Sequence, residues 1–283
     1  MAIGVYDSGF GGLGVLRELR RALPDRDFVY LGDSGRAPYG GRDVHTILDF
    51  AEQATERLLG EGCRLVVVAC NTVSCVALRH LQRRYAGADS AARILGVAIP
   101  GAEAAVAQTK GHVGILATAR TVDSGTYVTE IHKLAPSVRV TQRAAPLLAP
   151  IVEEGWEDTA IAREAAERYL ADLPQIDTLL LGCTHYPLLV PVLRQVVPRG
   201  VAVLDPAPTV ATRLVDWLAR HPTYDNAGRG ALRVLCTGDP TAFARHGARF
   251  LGAPVGVVEP IAEVGGRLAP RDPSAAPTGQ VVR

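Results

Sequence analysis

Short apolar runs rich in Val, Ile and Leu recur along the chain between longer stretches with helical spacing of apolar and polar positions. Runs bounded by polar residues, with no strict alternation inside them, are the pattern of parallel strands buried on both faces by crossover helices. The pattern predicts strands over 3–6, 27–31, 64–69, 94–98, 112–116, 138–141, 177–182, 201–204, 232–236 and 255–258. Helices are expected over 13–22, 43–59, 73–86, 102–109, 122–134, 158–171, 187–196, 208–220 and 240–251. The fold class is α/β, built on parallel sheets.

The two halves resemble each other. Ile3-Gly4-Val5-Tyr6-Asp7-Ser8 aligns with Val113-Gly114-Ile115-Leu116-Ala117-Thr118 at an offset of 110, and Val66 to Thr72 aligns with Leu179 to His185 at an offset of 113. In the second pair a Cys closes each apolar run, Cys70 in one and Cys183 in the other. This predicts two similar three-layer lobes related by a pseudo-two-fold axis, with a cleft between them. Leu232 to Val258 has no counterpart in the second half and is assigned to the first lobe. The expected division is therefore 1–95 with 207–265 for the first lobe, 96–206 for the second, and a frayed, Pro- and Ala-rich tail over 266–283.

Composition narrows the function classes. The 30 basic and 29 acidic side chains among 283 residues leave a formal charge of +1, so no net field concentrates a nucleic acid. No apolar run approaches the ~18 residues of a membrane span, and the start of the chain lacks the basic and apolar regions of a signal peptide. A cytoplasmic protein with no membrane partner is expected. Its five cysteines lack the spacing of a zinc module or a disulfide framework, and the histidines are scattered, so no metal site is expected.

In open parallel sheets ligands bind where loops leave the carboxyl ends of strands. Asp7-Ser8-Gly9, Gly32-Asp33, Pro38-Tyr39-Gly40, Cys70-Asn71-Thr72 and Cys183-Thr184-His185 all follow expected strands. An isolated Cys after a buried strand is commonly a small core residue. Cys63, Cys75 and Cys236 keep that reading, whereas Cys70 and Cys183 occupy equivalent places with polar followers. Each is expected at the start of a helix, where the helix dipole favours thiolate. Gly9, Gly11 and Gly14 meet a Gly-x-Gly-x-x-Gly spacing, but Asp7 precedes it and no Lys follows, so a tight turn around a small ligand fits better than a phosphate loop. Asp7 at a strand end reads as a helix cap or, in a cleft, as a group that binds an ammonium or serves a thiol; Glu153 is as readily a solvated residue as a cleft residue.

A hydrolase needs one nucleophile with a base, and a second equivalent thiol has no task there. Racemisation beside a carboxylate needs a base on one face and an acid on the other, with roles exchanged for the opposite enantiomer. Cys70 and Cys183 supply that pair. A pyridoxal enzyme would need a Schiff-base Lys, and the two lysines, Lys110 and Lys133, are poorly placed for it.

The motifs Asp7-Ser8-Gly9-Phe10-Gly11-Gly12-Leu13, Pro38-Tyr39-Gly40, Ala69-Cys70-Asn71-Thr72-Val73-Ser74 and Leu181-Gly182-Cys183-Thr184-His185-Tyr186-Pro187 resemble the glutamate racemase family over about residues 3–260. The resemblance implies cofactor-independent interconversion of L- and D-glutamate for peptidoglycan precursors by two thiols, in a protein that pairs into a homodimer. It implies Cys70 and Cys183 as proton donor and acceptor, with Asp7 and His185 assisting. Asp7, Ser8, Pro38, Tyr39, Gly40, Asn71, Thr72, Thr118, Thr121, Thr184 and His185 carry over as substrate-binding positions. Racemisation of aspartate or another acidic amino acid is the neighbouring reading; a binding protein without turnover is the reading from another class, against which both intact thiols argue.

Overall fold

The computed structural model describes residues 1–87, 91–225 and 227–271. The apolar runs form β1 (Ile3–Asp7), β2 (Phe28–Gly32), β3 (Leu65–Val68), β4 (Arg93–Gly96), β5 (His112–Ala117), β6 (Arg139–Ala144), β7 (Thr178–Gly182), β8 (Ala202–Leu204), β9 (Leu232–Cys236) and β10 (Val258–Val264), followed by β11 (Arg267–Pro270). They make a seven-stranded sheet, β11-β10-β9-β2-β1-β3-β4, and a four-stranded sheet, β6-β5-β7-β8. Pairing is parallel throughout except between β10 and β11. The order β2-β1-β3-β4 recurs as β6-β5-β7-β8, so the likeness of the two halves extends from sequence to topology.

Strands β1, β2, β3, β5 and β7 are buried along their whole length, which is why their sequences do not alternate. Their side chains nonetheless divide by face. Ile3, Val5 and Tyr30 join a core with the helices Leu13–Ala22, Ala207–Arg220 and Pro240–Leu251, while Tyr6, Val29, Leu31, Val66 and Val68 join another with the helices Val44–Gly60 and Leu78–Tyr85. The first core continues into the second lobe through Leu116, Leu179 and Leu181. A third core fills the other face of the small sheet, where Val113 and Ile115 meet the helices Ala98–Gln108 and Thr126–Leu134.

Several boundaries differ from expectation for local reasons. The helix expected over 73–86 is two, Asn71–Val76 and Leu78–Tyr85, and the carbonyl of Cys75 beside the break accepts the Thr126 hydroxyl at 2.9 Å. The helix expected over 122–134 is Ala119–Asp123 and Thr126–Leu134, parted by Gly125 at φ 64°. The helix Ala98–Gln108 starts earlier than expected because Pro100 lies in its first turn, where a missing N–H costs nothing. Pro150 likewise sits early in Leu148–Glu153, a helix the pattern did not predict.

The tail expected from residue 266 begins instead as β11. Gly265 and Gly266 have φ values of 57° and 79°, the geometry of a two-residue hairpin turn, and fold Arg267–Pro270 back on β10. The remaining expected tail, 272–283, lies outside the described residues. No helix among the described residues is long and apolar enough to cross a membrane.

Candidate active site

The carboxyl ends of β1, β2 and β3 in one lobe and of β5 and β7 in the other border one small cavity. Ser8, Pro38, Tyr39, Gly40, Cys70, Asn71 and Thr72 line it from the first lobe. Thr118, Glu153, Cys183, Thr184 and His185 line it from the second. The structure thus brings nearly every expected site residue to one place. Asp7 and Thr121 are the exceptions: both are wholly buried just behind the lining.

The two thiols are 4% and 7% exposed and have different partners. Cys70 precedes the helix Asn71–Val76, and its Sγ lies 3.4 Å from Ser8 Oγ. Helix-terminus stabilisation of a thiolate does not prevail there. Burial, then the Asp7 carboxylate, push the Cys70 thiol up to about 12 against hydrogen bonds from Ser8 and the Val73 amide. Cys183 Sγ instead has His185 Nδ1 at 3.8 Å. The other nitrogen, Nε2, lies 3.0 Å from Glu153 Oε1, an ion-pair contact rather than an aligned hydrogen bond. Burial alone disfavours an imidazolium at His185, but its contacts with Cys183 and Glu153 outweigh that and raise it to about 10. One thiol therefore sits beside a carboxylate and a hydroxyl, the other beside a cationic donor.

Asp7 ends β1 but does not cap the helix that follows, for Leu13–Ala22 has no side-chain cap. Its Oδ1 accepts from the Gly9 amide at 3.0 Å and its Oδ2 from Thr184 Oγ1 at 3.4 Å, a link between the lobes. Burial raises its pKa, opposed by the charge on His185 and by the Gly12 and Gly9 amides. The glycine run makes this packing possible. A Cβ on Gly12 would lie 2.5 Å from Asp7 Cβ, and one on Gly11 would lie 2.5 Å from Thr184 Oγ1. These glycines serve close approach, in keeping with a tight turn.

Three hydroxyls bridge the lobes. Thr72 Oγ1 lies 2.9 Å from Thr118 Oγ1 and 3.3 Å from Thr121 Oγ1, and Thr118 also caps its own helix by accepting from the Thr121 amide. Tyr39 reaches the cavity as part of its wall, but its hydroxyl is engaged behind it, donating to Asp33 and accepting from Tyr6.

Sequence reasoning missed several supporting residues. Tyr127, wholly buried in the second lobe, donates to Asn71 Oδ1 at 2.5 Å. Phe10 and Phe250 pack on the His185 ring, with centroids 5.9 and 5.3 Å away. Asp33 gathers Arg36, Tyr39 and Thr237 behind the Pro38 loop. The polar Asp33 after β2 was a signal for that cluster; nothing in the local pattern pointed to Tyr127. Among the described residues no group of three or more His, Cys, Asp or Glu is arranged to hold a metal ion.

Residues 12–214 match the profile of the Asp/Glu/Hydantoin racemase family. A glutamate racemase from Geobacter metallireducens is 39% identical over 265 residues, covering 91% of this chain and 95% of the relative. A solved glutamate racemase from Francisella tularensis in complex with D-glutamate is 30% identical with a TM-score of 0.84, covering 92% of this chain and 97% of that one. The isoform RacE1 from Bacillus anthracis is 34% identical with a TM-score of 0.86, covering 94% and 98%. By the extent and closeness of these matches, the chain belongs to the Asp/Glu/Hydantoin racemase family.

Proposed function

We propose that this chain is a glutamate racemase that interconverts L- and D-glutamate by two-thiol proton transfer without a cofactor. The observation that carries this reading is that Cys70 and Cys183, from opposite lobes, line one small cavity. A thiolate on one side takes the Cα proton and the thiol on the other gives its proton to the opposite face. One C–H bond breaks and one forms, and the enzyme is left with its thiol and thiolate exchanged. The next turnover of the other enantiomer restores them.

The carbanionic intermediate spreads its charge onto the α-carboxylate, which needs donors already in place. Asn71, accepting from Tyr127 through Oδ1, has its amide N–H groups free to donate, and the hydroxyls of Thr72, Thr118 and Thr184 stand nearby. Ser8, Pro38, Tyr39 and Gly40 complete the binding wall, and Thr121 acts through Thr118. In this reading Asp7 assists at Cys70, and His185, held by Glu153, donates to Cys183 as it loses its proton. The lobes divide as 1–95 with 207–265 and as 96–206, with β11 joined to the first. The D-glutamate formed supplies peptidoglycan precursors, and the enzyme works in the cytoplasm as a homodimer.

The test is circular dichroism of L-glutamate and L-aspartate incubated separately with purified protein, without pyridoxal phosphate or metal. Loss of signal with glutamate alone is expected. Loss with aspartate alone would overturn the substrate, and no change with either would overturn the activity.

A further inference from the structure

Two arginines, one from each lobe, tie the lobes beside the cavity, while Arg79 with Glu130 and Arg213 with Glu103 join them elsewhere. From the second lobe, Arg120 in the helix Ala119–Asp123 donates Nε to the Arg42 carbonyl at 2.9 Å. Its amide donates to the Gly40 carbonyl at 3.0 Å. Both acceptors lie on the loop after β2 whose residues Ala37 to Gly40 wall the cavity. From the first lobe, Arg249 in the helix Pro240–Leu251 meets Glu157 of the second at 2.5 Å, four residues beyond the Glu153 that pairs with His185. Neither arginine lines the cavity or touches a thiol.

The inner part of the loop is anchored in its own lobe. Buried Asp33 accepts from Arg36 Nε at 2.8 Å and from Thr237 Oγ1 at 2.6 Å, and takes the Tyr39 hydroxyl as well. The outer carbonyls of Gly40 and Arg42 are instead bonded across the cleft. There the lobes are already in close contact, since a Cβ on Gly40 would lie 2.9 Å from Thr118 Cβ. With both thiols under 10% exposed, the cleft must part to admit an amino acid. Parting the lobes at this edge would break the Arg120 hydrogen bond and separate the Arg249–Glu157 ion pair.

We propose that Arg120 and Arg249 are positioning residues, reciprocal latches that hold the two lobes closed so that both thiols face one carbon. Each latch lowers the population of the open form through which a ligand must enter and leave, so its loss speeds both steps without changing the affinity. Chemistry inside the closed complex does not depend on either side chain. The inference rests on the racemase reading for its ligand, but the opening of the cleft is measurable without turnover.

The experiment compares wild type with Arg120→Ala, Arg120→Lys and Arg249→Ala, first by amide hydrogen exchange of the ligand-free proteins. In Arg120→Ala the segments 36–42 and 119–123 are expected to exchange about five-fold faster, the effect of losing one net hydrogen bond, with the melting temperature lowered by only about 2 °C. Arg120→Lys, whose ammonium still reaches a carbonyl, is expected to recover part of the protection. In rapid-mixing experiments both alanine variants are expected to bind and release glutamate about five-fold faster, with Kd unchanged and kcat undiminished, because the opening step enters both rates equally. Wild-type exchange and wild-type binding and release rates in both alanine variants, or a fall in kcat, would overturn the proposal. If wild type does not racemise glutamate, the functional reading fails, and the exchange arm still decides whether the latches hold the cleft.

Discussion

Tyr127 of the second lobe donates its hydroxyl to Asn71 Oδ1 of the first at 2.5 Å, with both side chains buried. The bond fixes which end of the Asn71 amide faces the cavity. With the oxygen occupied, the N–H groups are the part left for an anionic ligand. It also joins the residue after Cys70 to the helix packed under β5 and β7, one of several bonds between the lobes at the site.

Tyr127→Phe keeps the ring and removes the donor, leaving a buried carbonyl oxygen unpaired. A loss of about 1–3 kcal/mol in folding stability is expected. KM for glutamate should rise several-fold, because the freed amide is able to flip. Thermal unfolding and steady-state kinetics check both, and an unchanged KM would show that Asn71 is oriented by something else.

Cys70→Ser and Cys183→Ser replace a thiol with a hydroxyl that is far less acidic, so each should lower racemisation in both directions by at least about 100-fold, the scale of a lost general acid or base. Each variant should still bind glutamate, since the donors of Asn71, Thr72, Thr118 and Thr184 survive. Calorimetric titration together with the dichroism assay separates the two effects. Near-normal turnover in either variant would refute the two-thiol mechanism.

Proton delivery from the second thiol predicts an isotope signature. In D₂O, product of the opposite configuration should carry deuterium at Cα, because the hydrogen it gains comes from a thiol equilibrated with solvent. Mass spectrometry of the separated enantiomers reads this directly. Product that retained its original hydrogen would mean transfer within one face or through a single group.

Much of this was legible in the sequence because it depends on local pattern. Apolar runs without alternation marked β1, β3, β5 and β7, and polar residues at their ends marked Asp7, Cys70, Asn71, Cys183 and His185. Other features depend on partners distant along the chain. Tyr127 sits 56 residues from Asn71, and a Tyr on a helix gives no sign of which buried oxygen it will meet. The raised thiol of Cys70 was hidden for the same reason, since burial and the Asp7 charge outweigh the helix terminus that the sequence does display. The hairpin after Val264 escaped because a Gly-Gly pair beside a Pro-rich stretch looks like a frayed end until the positive φ of both glycines is seen.

His185 gives the site a pH dependence with a definite sign. Its pKa rises from 6.5 to about 10 on folding, so between those values the folded chain holds a proton that the unfolded chain has released. The associated stability is fully present below about pH 6.5 and is lost as pH rises towards about 10. The melting-temperature difference between wild type and His185→Asn should therefore shrink from pH 6 to pH 10, which calorimetry at several pH values will show. A difference that stays constant or grows would mean that His185 is neutral in the folded protein at neutral pH.

The glycine run makes the last prediction, because its members are not equivalent. A Cβ on Gly11 would fall 2.5 Å from Thr184 Oγ1 and 2.8 Å from His185 Nδ1, so Gly11→Ala must displace two residues that line the cavity. A misplacement of that order at an acid/base site costs about 100-fold in rate. Gly14, in the helix Leu13–Ala22, has only the Phe250 carbonyl at 4.0 Å, and Ala suits a helix better than Gly, so Gly14→Ala should keep full activity and gain a little stability. A phosphate loop would demand both glycines, whereas contact between the β1 loop and the Cys183 loop demands Gly11 alone. Racemisation rates of the two variants, with circular dichroism to confirm folding, distinguish the cases: equal damage from both would overturn the close-approach account of the run.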